Sequence, residues 1–224
     1  MSYRDFLIRE KRSETFYLSE KALSAAKELL ESILSILKNN SNYKIYPDRV
    51  QRPDKKIIFL KEDNPIIIAG RLIQEDLLIL HWDNNFQEHI LEGGILCFPA
   101  LWTLNEKINK PLSRIHKPVE QYNEKITKSV QRMFNNLKVD KPIWRANWYL
   151  YKDPELFSPL SEKFSHTTEK EYFEGDFWVR VERQTLKRLP LTNAILFGIH
   201  TYVVNKKQLT IQQITSLKNY SLNK

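Results

Sequence analysis

The stretch FWVRVERQTLKRLP, Phe177–Pro190, alternates Phe177, Val179 and Val181 with charged or polar neighbours and then crowds Arg180, Glu182, Arg183, Gln184, Lys187 and Arg188 together. Alternation with period two is the signature of a half-buried strand, because successive side chains point to opposite faces. Phe177, Val179 and Val181 then share one face and Trp178, Arg180 and Glu182 the other. The connection RLPLTNA leads into ILFGIHTYVV, residues 195–204, and is short enough to make the two runs antiparallel neighbours. A charged wall on such a hairpin is ordinarily a sheet edge or a solvated face. That reading stands beside a functional one.

Working outward, KIIFL (56–60), DLLILHW (76–82), GILCFPA (94–100) and IWRANWYLY (143–151) also read as strands, although DLLILHW is compatible with some helix. Ser19 is a fitting N-cap with Glu20 in the first turn. Leu23, Ala26, Leu30, Ile33, Leu34 and Leu37 then recur on one face, which predicts an amphipathic helix over about 19–38, stopped by NNSN. A second helix is predicted from about Val119 to Leu137, on the spacing of Tyr122, Ile126, Val130, Phe134 and Leu137. Helices packed on an antiparallel sheet make an α+β domain, and 224 residues suit a single one spanning 1–224.

Composition narrows the chemistry. The chain carries 35 Lys and Arg against 27 Asp and Glu, a formal charge of +8, so anionic partners or cofactors are favoured. The basic residues are spread along the chain and form no stripe, which weighs against a nucleic-acid binder. Five glycines include no phosphate-cradling loop. The single cysteine, Cys97, excludes an internal disulfide and an iron–sulfur cluster built from this chain alone. Charges in MSYRDFLIREKR stand where a secretion signal needs an apolar run, and apolar stretches such as Ile66–Ala69 are too short to span a bilayer. A cytoplasmic protein is expected, without membrane or nucleic-acid partners.

The run Trp178–Pro190, followed by Ala194-Ile195-Leu196-Phe197 and Thr201-Tyr202-Val203, resembles the α-subunit family of haem-dependent oxidative N-demethylases. The same family order is met in Gln74-Glu75-Asp76-Leu77, and in Cys97-Phe98-Pro99 through Trp102, Lys107, Pro111-Leu112, Ile115-His116 and Pro118-Val119 to Tyr122. It continues in Trp144-Arg145, Asn147-Trp148 and Pro154-Glu155-Leu156-Phe157. The resemblance implies a PAS-like antiparallel sheet with helices enclosing a haem b pocket. It also implies oxidation of a small secondary amine, such as dimethylamine, by O2 with release of formaldehyde. Partner reductase subunits would carry flavin and iron–sulfur centres and pass on electrons from NADPH.

Haem iron needs an axial donor, and His116, in the family-like Ile115–Val119, is the first choice. Cys97 is the competing donor, but so apolar a run favours a small buried side chain. His81, His89 and His166 lie in polar surroundings where surface or capping roles are expected. Haem carboxylates call for arginine forks, and the candidates are Arg145, Arg180, Arg183 and Arg188. Arg145 is equally suited to stacking on Trp144 or Trp148. Arg183 and Gln184 are candidates for stabilising charge on activated oxygen. Glu182 is a candidate to hold a protonated amine or accept its proton. In a regular strand Glu182 and Arg183 point to opposite faces, so a shared site would need a bulge.

The sequence departs from the family where relatives read Phe-Thr-Ile-Arg-Thr-Tyr and this chain has Phe197-Gly198-Ile199-His200-Thr201-Tyr202. A permanent cation gives way there to an imidazole. Both ends are also shorter, and Lys218-Asn219-Tyr220-Ser221 stands where a further helical extension is usual. Beside the enzyme stands a non-enzymatic alternative, a haem-binding PAS-type gas sensor or haem carrier.

Overall fold

Trp178–Arg188 does form a strand, eleven residues long, and it lies inside a sheet with a bonded neighbour on each side. The crowded charges are therefore not those of a sheet edge. The computed structural model describes residues 1–117, 123–161 and 175–222. Its helices are α1 (Ser2–Glu10), α2 (Arg12–Thr15), α3 (Leu23–Leu37), α4 (Pro65–Leu72), α5 (Leu104–Lys107), α6 (Leu112–Ile115), α7 (Glu124–Asn136) and α8 (Ile211–Leu222). The strands are β1 (Phe16–Leu18), β2 (Lys44–Ile45), β3 (Arg49–Gln51), β4 (Ile57–Phe59), β5 (Glu75–Asp83), β6 (Glu88–Ile95), β7 (Ile143–Tyr151), β8 (Trp178–Arg188) and β9 (Ile195–Asn205). Among the described residues, six strands pair in the order β1-β6-β5-β9-β8-β7 and three form a small sheet, β2-β3-β4. Every pairing is antiparallel, and the fold is α+β as expected.

The β8–β9 hairpin pairs from Trp178↔Asn205 to Arg188↔Ile195 without a slip in register. Its connection is closed by the Leu189 N–H, which donates to the Ala194 carbonyl at 2.9 Å. Asn193 takes φ 57° there, a left-handed conformation that asparagine tolerates.

The second half of GILCFPA is not strand. β6 begins earlier, at Glu88, and ends at Ile95. The Cys97 and Phe98 N–H groups donate instead to the two Asp76 carboxylate oxygens, at 2.8 and 2.9 Å. The glycines of HILEGG lower its strand propensity, yet both are closely packed: a Cβ on Gly94 would lie 2.5 Å from Leu78 Cδ2, and one on Gly93 would meet Leu18 Cδ1 as closely. DLLILHW is strand throughout, within β5.

Ser19 Oγ accepts from the Ala22 N–H at 3.3 Å and caps a short 3-10 turn that runs into α3. Ala26, Leu30, Ile33 and Leu37 are buried as their spacing predicts. α7 starts at Glu124, capped by the Asn123 side chain; Val119 and Tyr122 lie outside the described residues. One sheet face, with Leu77 and Ile79, packs with residues of α1, α3 and α4. The other, with Leu78, Leu80, Ile195 and Ile199, packs with Leu104, Leu112, Phe134 and Leu137.

The sequence reading missed α1, and with it the residue that ties the amino terminus to the sheet. Arg4 is 1% exposed and donates to Asp76 Oδ1 at 2.7 Å and to the Gly70 carbonyl at 2.6 Å. Asp76 thereby joins α1, β5 and the Cys97–Phe98 turn.

Candidate functional site

Regular pairing on both sides of β8 decides which side chains share a face. Across to β7 the partners are Gln184↔Arg145, Glu182↔Asn147 and Arg180↔Tyr149; across to β9 they are Gln184↔Ile199, Glu182↔Thr201 and Arg180↔Val203. Residues directly opposite in a ladder point to the same side. One face of the sheet therefore collects Arg145, Asn147, Arg180, Glu182, Gln184 and Thr201.

A hydrogen-bonded chain runs across that face. Arg145 Nε donates to Gln184 Oε1 at 2.9 Å, and Gln184 Nε2 donates to Glu182 Oε2 at 3.2 Å. Arg180 Nε donates to Glu182 Oε1 at 3.3 Å. Glu182 is 4% exposed. Burial raises its pKa, and Arg180 and the Gln184 amide pull the other way. A carboxyl raised in this way holds a proton more readily than an exposed one.

Arg180, 1% exposed, has further partners: it donates to the Leu156 carbonyl at 3.1 Å and to the Phe98 carbonyl. It fixes Glu182 in place. Arg188 is engaged in the same manner, donating to the carbonyls of Leu137 at 2.7 Å, Phe134 at 2.6 Å and Asn193 at 3.0 Å. Two of these carbonyls close the end of α7, where orphan acceptors and the negative pole of the helix dipole favour a cation. Arg145 bonds through Nε to Gln184 and keeps the better geometry for meeting a carboxylate.

Arg183 is not brought together with these residues. β8 has no bulge, so its side chain points to the opposite face, where it is 45% exposed and donates to Glu75 Oε1 at 2.8 Å. Directly opposite it in register is His200, whose ring lies tilted against Tyr202 with centroids 4.5 Å apart and with Nδ1 3.9 Å from Glu75 Oε1. The imidazole that departs from the family pattern thus belongs to the Arg183 side.

His116 follows α6, and its Nδ1 lies 2.9 Å from the Leu112 carbonyl. A carbonyl only accepts, so Nδ1 carries the proton and the lone pair is at Nε2, the tautomer of a metal-ligating histidine. Burial lowers its pKa; the Leu112 bond opposes this, and Lys107 and Arg145 add to it. The balance favours the neutral ring. Leu112, in the helix that His116 follows, packs with Leu78 and Ile199, which puts His116 on the same side of the sheet as the polar face.

Cys97 is fully buried, and burial pushes its thiol up to about 12. It stays protonated and is no thiolate ligand. His89 is not at the surface, contrary to expectation: it is buried beside Phe134, with Nδ1 3.0 Å from Gln131 Oε1. His81 Nδ1 lies 3.0 Å from Glu92 Oε2 and is partly buried. His166 lies outside the described residues.

The donor set on the polar face suits a haem. It offers an imidazole with its lone pair at Nε2, a guanidinium, Arg145, and a hydroxyl, Thr201 Oγ1, that is shielded from solvent and without a hydrogen-bond partner among the described residues. Among the described residues, no group of three or more His, Cys, Asp or Glu is arranged to hold a bare metal ion. Two surface clefts of about 530 Å³ lie elsewhere, one between β5–β6 and α7, the other between β7–β8 and α8. Thr201 and Asn147 were missed in the sequence, because only the register sets them beside Glu182. No helix among the described residues is long and apolar enough to cross a membrane.

The polar face is assembled from the stretches that carry the family resemblance, and the pattern of the family described as "haem-dependent oxidative N-demethylase, alpha subunit-like" matches residues 1–218. The chain belongs to that family.

Proposed function

We propose that the chain binds haem b against the polar face of its main sheet and uses O2 to demethylate a small secondary amine such as dimethylamine. The amine, O2, NADPH and one proton would yield the shorter amine, formaldehyde, NADP+ and water. One observation supports the proposal: His116, its Nδ1 bonded to the Leu112 carbonyl, follows a helix packed on the side of the sheet that holds Arg145 and Glu182. Family membership supports it.

His116 Nε2 would hold the iron and Arg145 a haem carboxylate. When bound, the haem supplies the redox chemistry that activates dioxygen. Glu182 binds the cationic amine or takes its proton, and Arg180 and Gln184 keep the carboxyl oriented. Gln184, next along the same face, would lend an amide N–H to stabilise charge developing on oxygen. Arg180 and Arg188 serve through the residues they hold, since backbone carbonyls already engage them. The role proposed for Arg183 is at the opposite face, where its exposed guanidinium could meet a partner. With its one cysteine buried and protonated, the chain relies on a separate reductase with flavin and iron–sulfur centres for electrons. A PAS-like description fits the antiparallel order of β5 to β9, and a cytoplasmic setting fits the need for NADPH.

The test supplies haem-loaded protein with dimethylamine, O2, NADPH and a flavin and ferredoxin reductase couple, and traps formaldehyde. Amine-dependent formaldehyde is expected, reduced at least tenfold by Glu182→Gln. Haem uptake without formaldehyde would mark a gas sensor or haem carrier instead.

A further inference from the structure

Thr201 Oγ1 is shielded from solvent and has no hydrogen-bond partner among the described residues, although Thr201 stands directly across the β8–β9 ladder from Glu182. A buried hydroxyl without a partner is destabilising, and an isosteric apolar residue would remove that penalty. Its neighbours make the position more telling. Asn147, on the far side of Glu182, completes a row of three polar side chains across β7, β8 and β9. This row is rich in acceptors, and the nearest buried cation, Arg180, is already committed to Glu182 and two carbonyls. Such a row recognises a hydrogen-bond donor.

We infer that Thr201 is a specificity-determining residue that, together with Glu182, takes the two N–H groups of a secondary ammonium ion. The inference rests on the amine-binding role proposed for Glu182. Its geometry is simple. Two acceptors bonded to one tetrahedral nitrogen, each at about 2.9 Å, lie about 4.7 Å apart. Side chains directly opposite in an antiparallel ladder are separated by about 4.5–5.5 Å at Cβ. Glu182 and Thr201 thus stand as adjacent acceptors on one face, close enough for their flexible ends to meet one dialkylammonium. A trialkylammonium has a single N–H and leaves one acceptor unmet, so the site discriminates by counting donors.

The test compares haem-loaded wild type with Thr201→Val, which keeps the shape and strand preference of the side chain and removes its hydroxyl. Binding of dimethylammonium and of trimethylammonium chloride is measured by isothermal calorimetry, and the melting temperature without amine is recorded. Wild type is expected to prefer dimethylammonium about tenfold. The variant is expected to lose that preference through weaker dimethylammonium binding alone, while its melting temperature holds or rises by about 2–4 °C. Undiminished preference in the variant overturns the role of Thr201 and leaves Glu182 as the amine partner. A variant that melts lower shows a hydroxyl already satisfied within the fold, which also overturns it. If neither amine binds wild-type protein, the amine-binding role of Glu182 fails and the inference falls with it.

Discussion

Arg180 and Glu182 occupy the centre of β8, buried to 1% and 4% exposure, and each owes its place to the other. Removing one member of a buried ion pair leaves the partner's desolvation uncompensated and costs about 3–5 kcal/mol. Arg180→Leu should destabilise by that amount in urea denaturation, since the Phe98 and Leu156 carbonyls lose a donor as well. Arg183→Leu should cost under about 1 kcal/mol, because its pair with Glu75 is half in solvent. Equal losses would mean that the burial of one pair and the exposure of the other do not govern their energetics. In the sequence the two arginines look alike. Counting alternate positions separates their faces, but it does not tell which face is dry.

At the level of elements, the hairpin was legible because the alternation of Phe177, Val179 and Val181, a second β-rich run and a short turn between them leave few alternatives. α3 was legible from its capping serine and its stripe of leucine and isoleucine. α4, PIIIAGRL, was not, because a helix apolar on most sides has no period to read; its residues from Ile66 to Gly70 are all buried. α8 forms where only a polar end was expected, its periodicity too weak to signal a helix. α4 also lies close to the sheet. A Cβ on Gly70 would meet Ile95 Cδ1 at 2.8 Å and Cγ2 at 2.9 Å. Gly70→Ala gains roughly 1 kcal/mol in helix propensity, while overpacking costs about 1–3 kcal/mol. A net loss of stability is expected in thermal unfolding, and a clear gain would show that Ile95 yields freely.

Across the whole molecule, four histidines, His81, His89, His116 and His200, have pKa values lowered chiefly by burial. As pH falls below about 6.5 the unfolded chain takes up protons that these folded imidazoles refuse, so stability declines. Asp5, Asp54 and Asp63 have lowered pKa values; their ion pairs stabilise above about pH 4 and are lost below it. Glu182, whose pKa is raised, acts in the opposite sense and favours folding at low pH. Urea midpoints should therefore rise from pH 5 to pH 7, with a second, steeper fall below pH 4. A flat profile between 5 and 7 would contradict the burial of the histidines. The α+β architecture was visible in the chain, whereas the site was visible only as a set of candidates. The strand register gathers Arg145, Glu182 and Gln184 on one face and turns Arg183 to the other, while backbone carbonyls engage Arg180 and Arg188. Long-range register made that division, and it is not written in any local pattern.

The most direct measurement is an optical titration of the purified protein with haemin, followed through the Soret band, for wild type and His116→Ala. The account predicts a saturable one-to-one spectrum of imidazole-ligated haem in wild type, shifted or abolished in the variant while its circular dichroism is unchanged. A wild-type chain that takes up no haemin, or a variant with an identical spectrum, would contradict it.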